Sequence, residues 1–105
     1  MDNQSPLPMR LRQAREALEL TQQELGERLG FEHRSASSRM THYEKGRHTP
    51  DYQTLERLSE ELGVPVAYFF CESDVMAELV CQLDELDEEE QKKLLKKLQE
   101  MTGKS

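Results

Sequence analysis

The sequence predicts an all-α protein: a compact body of five short helices followed by a C-terminal helical extension. Three observations carry this. Apolar residues recur at three- and four-residue spacing, the repeat of one helix face. Cap residues open several of these stretches and glycines close them. The five glycines and four prolines fall mostly between the periodic segments, where chain direction changes. At 105 residues there is room for one domain and a short appendage.

The elements follow in order. Residues 1–8 carry Ser5-Pro6-Leu7-Pro8 and are expected to be a flexible lead-in. From about Met9 to Leu18, Leu11, Ala14 and Leu18 share a face, which leaves Arg10, Arg12 and Glu16 to water. Thr21-Gln22-Gln23-Glu24 is a capping box for the second helix, in which Leu25 and Leu29 are inward and Gly30 is the stop. Gly26 sits inside that helix, at a cost of about 0.8–1 kcal/mol against alanine. Close approach of another helix is the expected compensation.

In the third helix Ala36, Met40 and Tyr43 form an inward face, and Ser35, Ser38, Arg39 and His42 an outward one. Small residues let a helix approach a groove closely, and Ser, Arg and His bond base edges or phosphates. Taken alone, the same face reads equally as ordinary solvated surface. The preceding helix and the short bend tip it toward nucleic acid. Asp51 caps a fourth helix, Tyr52–Leu62, with Leu55, Leu58 and Leu62 inward and Gly63 closing it. Pro65 starts a short fifth helix whose Val66, Phe69 and Phe70 are expected to plug the core.

Asp74 is the expected cap of the extension's first helix. Met76, Leu79, Leu83 and Leu86 follow at the spacing of an interhelical seam. Asp87-Glu88-Glu89-Glu90 restarts a second helix with Leu94, Leu95, Leu98 and Met101. Its Glu88–Lys92 and Glu89–Lys93 spacings each contribute about 0.2–0.5 kcal/mol, so its charges read as a stabilised solvated face. Two amphipathic helices outside a complete core must fold back on it or meet another chain. The expectation is a symmetric dimer.

The formal net charge is −7, but its distribution matters more. Between Arg28 and His48 there are five basic and two acidic residues, and all three histidines lie in that window. A basic face on an acidic body is compatible with DNA binding.

Leu20-Thr21-Gln22, Glu24-Leu25-Gly26, Leu29-Gly30, Tyr43-Glu44-Lys45-Gly46, Pro50, Leu55, Leu58 and Leu62-Gly63-Val64 together resemble the phage-repressor/Cro-like helix-turn-helix family, also called the xenobiotic-response-element family. The resemblance covers roughly residues 9–70. It implies a five-helix repressor-like domain whose third helix enters the major groove of double-stranded DNA. It implies a transcriptional regulator that binds as a homodimer, and a dimeric repressor is expected. By the same resemblance Gln22 and Lys45 contact DNA phosphates, with Arg47, His48 and Arg39 along that edge. Arg15 and Glu44 form a structural ion pair.

One departure stands out. The family usually places the inward apolar residue of helix 3 six steps after the turn glycine, whereas Gly30 to Met40 is ten. The four extra residues, somewhere in Phe31–Ser37, equal about 1.1 helical turns. They either lengthen helix 3 at its N-terminus, with Glu32 as cap, or widen the turn so that the helix starts near Ser35. Alignment on Met40 makes Ser37, Ser38 and His42 base-facing, and a longer helix adds Arg34 and Ser35.

The alternative is a protein-interaction module of the same fold, an antitoxin or adaptor holding a small protein partner through residues 71–105. An enzyme is not expected, because the chain has no Gly-rich phosphate loop and no Ser/His/Asp arrangement. His33, His42, His48, Cys71 and Cys81 lack metal-ligand spacing, so no metal or other cofactor is expected. No apolar run approaches the roughly 20 residues of a membrane span, and the N-terminus lacks a signal-type stretch, so a cytoplasmic location follows as the expectation.

Overall fold

A computed structural model of the chain describes residues 5–105, all helix and connecting turns. The helices are α1 (Leu7–Ala17), α2 (Gln22–Arg28), α3 (His33–Glu44), α4 (Tyr52–Leu62), a 3₁₀ turn η1 (Val66–Phe70), α5 (Asp74–Glu85) and α6 (Glu88–Thr102). No described helix is long and apolar enough to cross a membrane.

α1 starts before the position the pattern suggested. Residues 1–4 lie outside the described residues, but Leu7 and Pro8 belong to the helix and not to a flexible lead-in. Proline is favourable in the first turn, where its missing N–H has no intrahelical partner to lose. Leu7 is buried, and the inward stripe is Leu7, Arg10, Leu11 and Ala14. Arg10 is therefore not left to water: it is 1% exposed. Leu18 is half exposed and not inward. α1 ends at Ala17, and Glu19 at φ 56° turns the chain away, so Leu20 takes the core position instead.

The Thr21 capping box closes as expected, with the Glu24 N–H 3.0 Å from Thr21 Oγ1 and the Thr21 N–H 2.9 Å from Glu24 Oε1. These bonds hold the Glu24 carboxyl below its ordinary pKa. Leu25 and Leu29 are buried. A Cβ on Gly26 would stand 2.7 Å from the Ala36 carbonyl oxygen and 2.8 Å from the Ala36 Cβ. The glycine thus lets α2 and α3 touch.

α3 begins at His33, so the turn is not widened. Glu32 is its N-cap in position only, because its side chain makes no capping bond. Ala36, six steps beyond Gly30, is the residue that meets Gly26. Met40 and Tyr43 continue the same inward line one and two turns beyond that crossing.

α4 matches the pattern from its Asp51 cap to left-handed Gly63. In η1, Phe69 is buried but Phe70 is half exposed. A 3₁₀ turn aligns residues three apart, so Val66 and Phe69 share a side and Phe70 is rotated off it. Tyr68 is buried in its place, its hydroxyl donating to Gln13 Oε1 at 2.8 Å.

The extension divides. Ser73, not Asp74, caps α5, accepting from the Met76 N–H at 3.0 Å. Ala77 is buried, and Val80 and Cys81 pack against the same core. The seam residues Met76 and Leu79 are each about half exposed on the other side, and Leu83 and Leu86 are half-buried. α6 buries no residue. It is held by local features: the Asp87–Glu90 capping box, Lys92 near both Glu88 and Glu89, and left-handed Gly103.

Candidate nucleic-acid interface

The outer surface of α2 and α3 is built on one carboxylate. Glu44, at the end of α3, receives both arms of the Arg15 guanidinium, Nε at 2.7 Å and Nη2 at 3.0 Å. The third arm, Nη1, donates to the Leu20 carbonyl at 2.8 Å. Both side chains are largely removed from solvent, at 12% and 3% exposure. The bonds to Glu44 raise the Arg15 pKa further above its already high ordinary value. A planar fork matched to a carboxylate fixes angle as well as distance. α1, the α1–α2 turn and the end of α3 thus form one unit.

Gln22 joins the same carboxylate. Its Nε2 donates to Glu44 Oε1 at 3.1 Å, and its Oε1 lies 2.8 Å from the Thr41 hydroxyl. That hydroxyl also stands 2.9 Å from the Ser37 carbonyl, so its single proton serves one acceptor or the other. Arg12, Arg15, Gln22, Thr41, Glu44 and Lys45 line an open recess of about 420 Å³. Arg12 is solvent-exposed, as its helix position predicts, although the pattern alone does not place it at this recess. It does pair with Glu16 at 3.3 Å in the open, but it also borders this recess. Its i, i+3 relation to Arg15 was the available signal.

At the other end, Gln23 and Glu27 of α2 fasten the first turn of α3. Gln23 Nε2 donates to Glu27 Oε2 and to the His33 carbonyl, each at 2.9 Å, and Glu27 also contacts the His33 ring. The Gln23 bond, then the His33 contact, hold the Glu27 carboxyl below its ordinary pKa.

The side chains named from sequence separate by exposure. Arg34, Ser38, Arg39, Lys45, Arg47 and His48 are exposed, whereas Ser35, Ser37 and His42 are half-buried. Among the described residues no ion pair engages Arg34, Lys45 or Arg47. Arg34, Ser38 and Lys45 lie along one ridge of α3, opposite the buried line of Ala36, Met40 and Tyr43. Arg39 is set apart from that ridge. Its Cζ lies 3.7 Å from the Phe31 ring centroid, a cation–π contact, and Phe31 in turn packs beside Tyr43. His42 stacks obliquely on His48 at 4.9 Å between ring centroids, and its buried Nδ1 has no hydrogen-bond partner among the described residues.

No group of three or more His, Cys, Asp or Glu side chains among the described residues is placed to hold a metal ion. What the surface offers is a convex ridge of hydrogen-bonding and cationic groups beside a basic recess. That suits a polyanionic groove better than a small molecule.

The family described as helix-turn-helix domain matches residues 9–72. The chain is also similar to the solved structure of the transcriptional regulator BswR. The two are 38% identical over 90% of this chain and 93% of that one, with a TM-score of 0.79. No curated protein sequence matches the chain.

Proposed function

The chain belongs to the helix-turn-helix domain family, and from that membership we propose that it is a sequence-specific DNA-binding transcriptional regulator reading the major groove with α3. The observation that carries the proposal is the exposed ridge of Arg34, Ser38 and Lys45 on a helix held by the Arg15–Glu44 pair. Counting α3 from its contact with Gly26 moves the base-facing centre one turn toward the N-terminus, onto Arg34 and Ser38. Ser35, Ser37 and His42 flank it. Arg34 suits a guanine, whose O6 and N7 accept both arms of a guanidinium. Lys45, Arg47, Gln22 and the newly placed Arg12 suit phosphates on either side, with His48 at the edge. Arg39, folded on Phe31, supports the helix first and reaches phosphate second.

The exposed apolar side of α5 and α6 supports a homodimer through Met76, Leu79, Leu83 and Leu86. A dimer covering its site excludes other proteins from that DNA, which makes repression the expected outcome. Selection of bound sequences from random DNA tests the reading. The expected result is a pair of half-sites about 34 Å apart, or a multiple of that. Arg34→Ala should erase the preference at one base pair. Lys45→Ala should weaken all sites and reduce the salt slope by about 1. No enrichment of any sequence by the wild-type protein would sink the proposal. In sedimentation, Leu79→Glu should yield a monomer. A small protein co-purifying on this face would favour the adaptor reading instead.

A further inference from the structure

The least expected side chain in the molecule is Arg10, a buried guanidinium at the joint between the body and α5. A buried charge is tolerated when it is paired and hydrogen-bonded, and four of the five N–H groups of Arg10 have acceptors. Its Nε donates to the Cys71 carbonyl at 2.8 Å and its Nη2 to the Glu72 carbonyl at 3.2 Å. Its Nη1 donates to Gln13 Oε1 at 2.8 Å and to Asp74 Oδ1 at 2.9 Å. Three of these four acceptors belong to residues 71–74, the segment that turns the chain from η1 into α5. The fourth, Gln13, is held by the Tyr68 hydroxyl at 2.8 Å.

We propose that Arg10 is a positioning residue that fixes the direction of α5 relative to the reading helix, and so sets the half-site spacing that the dimer accepts. A rigid fork bonded to two successive carbonyls restrains the backbone torsions between them, and those torsions aim α5. The other end of the linkage is on the same helix. Arg15, five residues along α1, grips Glu44 at the end of α3. α1 is thus a strut with the reading helix tied at one end and the dimerisation helix at the other. The consequence is geometric. Each base pair inserted between half-sites moves the second one by about 3.4 Å and rotates it by about 35°. A stiff strut cannot follow that displacement, whereas a loosened joint can. The inference rests on the DNA-binding and dimer readings above.

The test uses the full-length chain and a panel of duplexes whose half-site separation changes one base pair at a time, plus a duplex with a single half-site. For the wild type, the best spacing should bind about tenfold or more tighter than its one-base-pair neighbours, a loss the size of one mismatched base pair. Arg10→Met keeps the apolar stem and removes the fork. It should remain a dimer in sedimentation and bind the single half-site with unchanged affinity. Its preference between neighbouring spacings should fall to about threefold or less. Asp74→Ala removes one arm at a side chain that is 84% exposed, so it should fold normally and broaden the profile partway. If Arg10→Met fails to fold, the Asp74→Ala profile decides. A profile as sharp as wild type in the folded, dimeric variant overturns the proposal while leaving the DNA-binding reading intact. A monomeric wild-type protein overturns the proposal together with the dimer reading, and a wild type that binds no DNA overturns it together with the DNA-binding reading.

Discussion

Residues 7–81 and residues 82–105 are built on opposite principles, although both are helical. In the first stretch nearly every element is defined by what it touches: Gly26 by Ala36, Glu44 by Arg15, Arg10 by the joint at 71–74. In the second, α6 touches almost nothing and is held by a capping box, charge pairs one turn apart and a left-handed glycine. Local signals make a helix, but they contribute from a few tenths of a kcal/mol for a charge pair to about 1 kcal/mol for a cap, and an isolated helix of this length is marginal in water. The difference teaches that the body closes a core of its own, whereas the tail leaves leucines such as Leu95 and Leu98 about half exposed.

The sharpest way to break that contrast is a pair of truncations. Phe69→Ala, inside the body, should cost about 3–5 kcal/mol in urea unfolding at every protein concentration. Leu98→Ala, on α6, should leave the dilute protein unchanged and lower stability only at concentrations where the dimer forms. Equal losses at all concentrations would mean that the tail has a core of its own. Next comes Arg15→Met, which strands the Glu44 carboxylate at 3% exposure. It should cost about 3 kcal/mol and reduce DNA affinity together with thermal stability. Gly26→Ala should be smaller and opposite in sign to helix propensity. Alanine gains about 1 kcal/mol in an open helix, but here its Cβ meets the Ala36 backbone, and overpacking of about 1–3 kcal/mol prevails. A raised melting temperature would show that α2 and α3 separate readily.

The smallest effect concerns acid. The Thr54 N–H donates to Asp51 at 2.9 Å and holds its carboxyl below the ordinary range. A carboxyl depressed in the folded state contributes stability that is complete above its unfolded value. That stability is lost as pH falls through the folded value. The melting-temperature gap between wild type and Asp51→Asn should therefore be constant above about pH 5 and close below about pH 4. A gap that persists in acid would mean that the cap works without its charge.

Much of this fold was legible in the chain, because caps, glycine stops and leucine spacing act within a few residues of themselves. Thr21–Glu24, Asp51, Gly63 and Asp87–Glu90 stand where the pattern puts them. The misreadings share a different cause. Arg10 looked solvated because charge outweighs position in a pattern count, and three of its four acceptors lie about sixty residues away. Leu18 and Phe70 looked buried because periodicity continues on paper after the chain has turned or tightened. In the third helix the inward residues were legible, but which of them packs on α2 was not. Met40 and Ala36 are both inward, and only the contact with Gly26 shows which of them marks the crossing.

Hydrogen exchange turns the bareness of α6 into a clock. Amides near the Arg15–Glu44 pair should exchange only when the whole body opens, whereas those of α6 exchange through local fraying. If the tail is the dimer contact proposed above, the slow regime should extend into it as concentration rises, and the protected fraction of α6 becomes a gauge of how much of the protein is present.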